Sequence, residues 1–128
     1  LPECLDLRMA AKYVETIADL AVSVATAVLK LEKRDVDREI MEGLRQLSDS
    51  AHRIHEDAAQ ALFKQDVKSA ETVMLKAGEL TDGLVSINEM LTNKQPRWAP
   101  LLGSIAMYLY QMGSHGIDLA ELVSGTRL

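Results

Sequence analysis

Aromatic side chains are scarce in this chain, with one Trp, three Tyr and one Phe among 128 residues. At 48% hydrophobic residues the core must then be built from Leu, Ile, Val, Met and Ala, a set that suits helices better than strands. Cysteine is almost absent: the single Cys4 excludes an intramolecular disulfide and a Cys-based zinc site, and fits a reducing, cytoplasmic setting. Cys4 has no base near it in sequence, and no Ser stands in a Gly-x-Ser-x-Gly turn, so nucleophilic catalysis finds no support and no enzymatic activity is expected. Nor is there a Gly-rich phosphate loop, since Gly78, Gly83, Gly103, Gly113 and Gly116 are isolated within helical patterns. The longest nearly apolar run, Leu20 to Leu29, is too short to span a bilayer, and no signal peptide is visible. Net charge is -5, without the basic footprint of a nucleic-acid binder. Lys30, Lys33, Arg34 and Arg38 cluster at a connection and read as a solvated turn rather than a site for an anionic partner.

What the chain does have is helical rhythm. Apolar residues recur at 7, 10, 14, 17, 21, 24, 28 and 31, alternating three and four. The rhythm returns in Ile40, Leu44, Leu47, Ala51, Ile54, Ala58 and Ala61, in Ala70, Val73, Ala77, Leu80, Leu84, Ile87 and Leu91, and in Leu102, Ile105, Leu109, Met112, Gly116, Leu119 and Val123. The spacing predicts one domain over 1–128, an all-α antiparallel bundle of four long helices near 3–31, 37–64, 67–93 and 98–124. Asp35 or Asp37 can cap the second helix and Asp66 the third, and Pro96 or Pro100 can occupy the first turn of the fourth. Helix one carries a second apolar side, Ala11, Ala18, Val22, Ala25 and Leu29, so it is expected to be buried on more than one face, with a homodimer formed through it.

The chain also repeats itself once, at an offset of 95 residues. Leu7 falls on Leu102, Ala11 on Ala106, Tyr13 on Tyr108, Val14 on Leu109, Ile17 on Met112, Val24 on Leu119, Ala25 on Ala120 and Val28 on Val123. A period longer than a helix pair suggests a duplicated multi-helix unit. Tyr13-Val-Glu-Thr-Ile-Ala-Asp19 and Tyr108-Leu-Tyr-Gln-Met-Gly-Ser-His115-Gly-Ile-Asp118-Leu-Ala-Glu121 resemble the signature helix of the PhoU family, and Ala61-Leu-Phe-Lys-Gln-Asp66 is similar to that family's turn into the middle helix of its unit. Family members carry two three-helix units, so the resemblance implies the last helix of one unit followed by all of the second, in a fragment of a longer or processed chain; a first helical unit or a DNA-binding domain is what would precede Leu1. It also implies a non-enzymatic regulatory or adaptor module for phosphate uptake and phosphate signalling, with an ABC phosphate transporter and a sensor kinase as partners.

Glu15 and Asp19 lie one turn apart, about 150° from the centre of the inner stripe at 100° per residue, and so point outward. Two carboxylates at i, i+4 suit hard cations such as iron, manganese, magnesium or calcium. In the PhoU family such pairs hold surface metal clusters, a role that Glu15 and Asp19 inherit by resemblance. Tyr110 and Ser114 replace the second pair, leaving His115, Asp118 and Glu121 as the nearby ligands. The bland alternative is an acidic solvated face with i,i+3 or i,i+4 ion pairs to Arg8 and Lys12. His52, His55 and Glu56 form His-x-x-His-Glu, which lacks the zinc-protease spacing and reads as rim histidines. The rival function is a metal-binding bundle, a store or metal-dependent enzyme, that uses these surface carboxylates and histidines.

Overall fold

The computed structural model describes residues 2–31 and 35–125. Among them there is no strand. Helix α1 spans Pro2–Leu31, α2 Arg38–Lys64, α3 Val67–Met74 and α4 Ala77–Lys94; a 3-10 turn at Pro96–Trp98 leads into α5, Ala99–Ser124. The long third helix expected over 67–93 is therefore two segments. At the joint the amide of Lys76 donates to the carbonyl of Val73 at 3.0 Å, an i→i−3 bond that tightens the turn. The apolar stripe continues across it through Ala70, Val73 and Leu80, all buried, while Leu75 is left in solvent. Lys76 reaches back to Asp57 of α2, with Nζ 3.1 Å from Oδ2.

Local chemistry sets the other boundaries. Asp37 starts α2 by accepting from the amides of Glu39 and Ile40 at 2.9 and 3.2 Å. Asp66 caps α3, accepting from the Ser69 amide at 3.1 Å and its hydroxyl at 2.7 Å. Between them Gln65 ends α2 with φ 52°, a left-handed cap whose amide reaches the carbonyls of Ala61 and Leu62. Pro96 opens the 3-10 turn and Pro100 lies in the first turn of α5. Gln95 ties the two ends of the bundle's middle together: its Oε1 accepts from the Asp37 amide at 2.9 Å, and its Nε2 donates to the Asp35 carbonyl at 2.8 Å.

All seven positions of the α2 stripe, from Ile40 to Ala61, are buried. Helix α2 packs against α5, which also packs against α1, α3 and α4 and is the central element. Its buried set exceeds the expected stripe, adding Ala106, Gly113, Ile117, Ala120 and Leu122 to Leu102, Ile105, Leu109, Gly116 and Leu119. Close approach is made possible by two glycines. A Cβ on Gly113 would stand 2.7 Å from both methyls of Leu80, and one on Gly116 would stand 2.8 Å from Cγ2 of Ile54 and 3.3 Å from the backbone of His55. Contacts of Gly43 with Ile87, Gly83 with Leu47 and Asp57 with Lys76 run in opposite order along α2 and the α3–α4 arm, so these run in opposite directions. The contacts of Gly103 with Leu91 and Gly113 with Leu80 show the same for α4 and α5.

Two alanine substitutions separate packing from helix propensity. Gly116→Ala gains about 1 kcal/mol of propensity but overpacks against backbone, and its unfolding free energy is expected to fall by about 1–2 kcal/mol. Gly78→Ala meets nothing within 4 Å and is expected to raise it by up to about 1 kcal/mol. Urea midpoints measured by circular dichroism check both.

Candidate functional site

Helix α1 meets the rest of the bundle chiefly through α5. One row of α1, with Ala10, Ile17 and Ala27 buried and Tyr13, Val24 and Leu31 packed beside them, faces inward. The regular rhythm read from the sequence joined this row to Leu7, Val14, Ala21 and Val28, and here the structure corrects it. Those four residues are exposed, Leu7 at 60%, Val14 at 46% and Val28 at 47%. They belong with Ala11, Ala18 and Ala25, which are also exposed, as one continuous strip at 7, 11, 14, 18, 21, 25 and 28. Val22 and Leu29, exposed at 65% and 74%, extend its outer edge. The expectation that helix one is buried on more than one face is not met within a single chain.

The strip has a counterpart. Shifted by 95 residues it falls on Leu102, Ala106, Leu109, Gly113, Gly116, Ala120 and Val123. On α5 the first six of these are buried and Val123 is half-buried. Leu80 sits over Gly113 and Ile54 over Gly116, so helices α2 and α4 cover this side of α5. One apolar frame is thus written twice, covered in one copy and bare in the other. Beyond the bare strip, on the side away from α5, comes a charged row of Arg8, Lys12, Glu15 and Asp19, all exposed.

Glu15 and Asp19 therefore point to solvent as their spacing predicts. His115 and Asp118 are half-buried on α5, with Nδ1 and Oδ2 3.4 Å apart, and the Tyr13 ring of α1 lies 6.0 Å from the His115 ring centroid to centroid. That contact crosses two helices and had no signal in the sequence. The Nδ1 of His115 is buried without a hydrogen-bond partner. Glu121 is half-buried. Among the described residues no group of three or more His, Cys, Asp or Glu side chains is arranged to hold a metal ion, so the four sequence candidates stand as two separate pairs. Cys4 is exposed. Lys30 and Arg38 are exposed, while Lys33 and Arg34 lie outside the described residues. On α2, His52 is exposed and its Nε2 is 3.7 Å from Glu56, whereas His55 turns inward and buries Nε2 with no hydrogen-bond partner.

No family model, curated protein or solved structure matches the chain. No helix among the described residues is long and apolar enough to cross a membrane.

Burial, reinforced by the charge of a protonated His52, pushes the His55 imidazole below its ordinary value of 6.5. A lowered value in the folded state means that the unfolded chain takes up the proton first. Stability is then full above about pH 6.5 and falls as pH drops toward the folded-state value. Urea unfolding between pH 7.5 and pH 5 is expected to show this slope, and His55→Gln is expected to flatten it while His52→Gln leaves most of it; equal slopes in His55→Gln and the parent chain would contradict the assignment.

Proposed function

We propose that the chain is a regulatory or adaptor module of the PhoU kind, which works in the cytoplasm by binding other proteins and turns over no substrate. The observation that carries this reading is the bare strip of α1. A soluble helix rarely leaves a continuous apolar face of this length in water, and such faces mark interaction sites. The in-register strip of α5 supports a helix as the occupant, since helices are what cover it there. The resemblance of Tyr13 to Asp19 and Tyr108 to Glu121 to the PhoU signature helix supports the wider setting, control of phosphate uptake through an ABC phosphate transporter and its sensor kinase. The same strip supports self-association through helix one. Small side chains at Ala11, Ala18, Ala21 and Ala25 let a partner helix come close, and the larger Leu7, Val14 and Val28 give it apolar surface to bury.

The reading is tested with the purified chain as bait and the transporter's nucleotide-binding subunit and the kinase's cytoplasmic part as separate prey. Capture of one of them in the micromolar range is expected. Val14→Glu should weaken it at least tenfold, while Phe63→Glu, on the exposed end of α2, should leave it unchanged. Failure of both prey to bind, or equal loss in the two variants, would overturn the proposal.

A further inference from the structure

The composition of the bare strip also points to what covers it. Written as a heptad, its positions alternate between Ala11, Ala18 and Ala25 on one side and Leu7, Val14, Ala21 and Val28 on the other. In an antiparallel pair of identical helices each alanine of the first set faces a residue of the second at least as large, and the fourth residue of the second set falls at the end of the strip. A parallel pair would stack alanine on alanine and valine on valine by turns, leaving gaps in one layer and crowding in the next. We propose that the strip is covered by a second copy of this chain, α1 against α1 in antiparallel sense, centred between Ala18 and Ala21. The inference rests on reading the strip as a docking surface and names its occupant.

Charge and area fix the register. With this centre Ala18 faces Ala21 of the second copy, Val14 faces its Ala25 and Val28 its Ala11. Val22 and Leu29, the most exposed large side chains of α1, come under cover at the edges. Sliding the helices by one heptad so that Val14 faces Ala18 puts the two-fold axis at Thr16 and the two copies of Glu15 on either side of it, a like-charge approach. Sliding by a further heptad leaves Val22 and Leu29 in water. Lys12 and Asp19 lie further out on the side away from α5 and stay solvated, while Arg8 and Glu15, at the heptad position of Val22 and Leu29, flank the edge beside Leu29 and Val22 of the second copy. From Leu7 to Leu29 the strip runs about 33 Å. The four larger side chains and four alanines between Ala11 and Leu29 that meet the second copy expose on the order of 500 Å² per copy, which over two copies reaches the roughly 1,000 Å² that specific association requires. A two-fold pair closes on itself and leaves no free strip to propagate.

Sedimentation velocity across the micromolar range decides the point, in a Cys4→Ser background so that thiol chemistry is controlled. The wild-type surface is expected to give a dimer, and Val22→Glu combined with Leu29→Glu a monomer with unchanged helical circular dichroism. Orientation is read from cysteines: Ala18→Cys mixed with Ala21→Cys should form the mixed disulfide at least severalfold faster than Ala18→Cys alone forms its own. A wild-type monomer throughout the range, a dimer indifferent to the two glutamates, or faster Ala18→Cys self-coupling would each overturn the proposal. A transporter or kinase partner on the same strip must displace the second copy, so capture is measured with the chain diluted to monomer: a chain monomeric throughout that captures either prey overturns self-association alone, and dissociated chains that capture neither overturn the adaptor reading alone.

Discussion

Burial of α5 from several sides is the constraint on which the rest of this structure depends. A helix that packs against four others needs room at its surface, and Gly113 and Gly116 provide it where Leu80 of α4 and Ile54 of α2 press in. These two aliphatic side chains are almost wholly buried, and so is Leu119, one turn further along α5. With α2 and the α3–α4 arm closed over one side of α5, α1 is left to lie along another. It gains one covered row and no second neighbour of comparable extent. The bare strip of α1 follows from this arrangement, since α5 satisfies only the part of α1 that faces it.

The degree to which each element was legible in the sequence tracks how cleanly its faces differ. On α2 the apolar positions Ile40 to Ala61 are separated mostly by polar and charged residues, so a single phase fits and all seven positions are buried. Asp37 and Asp66 were legible as caps because a short acceptor ahead of a periodic run has one obvious use. On α1 the apolar residues fall in two heptad phases only about a sixth of a turn apart, and a rhythm of three and four passes through both without distinguishing them. The phase of Ala10, Ile17 and Val24 faces α5 and that of Leu7, Val14, Ala21 and Val28 does not, which tertiary structure alone decides. The joint at Leu75 and Lys76 carries no proline, and the apolar stripe crosses it unbroken, so the pattern held no mark of it. The contact of Tyr13 with His115 spans two helices far apart in sequence and was equally invisible, although the pairing of His115 with Asp118 one turn on was open to inspection.

The 95-residue repeat gives these facts their functional weight. A duplicated apolar frame normally signals a duplicated environment, and here the environments differ. Ala106 is fully buried and Ala11, its counterpart, is exposed. The polar residues of the two copies differ as well, Glu15 and Asp19 against Tyr110 and Ser114, while every position of the strip is aliphatic, alanine or glycine in both. Retained apolar side chains on a surface are hard to account for by solubility, which favours their replacement by charge. The proposed occupant of that surface would give the frame on α1 a physical use.

Thiol accessibility at the two equivalent alanines tests this account most directly. In a Cys4→Ser background, diluted far enough to hold the chain as a monomer, Ala11→Cys and Ala106→Cys each introduce one probe of almost unchanged size. The account predicts that Ala11→Cys reacts with a thiol reagent at close to the rate of an unstructured peptide, and that Ala106→Cys reacts only as fast as the bundle opens, slower by several orders of magnitude. Comparable protection at both positions in the monomer would mean that α1 is covered by its own chain, and would contradict it.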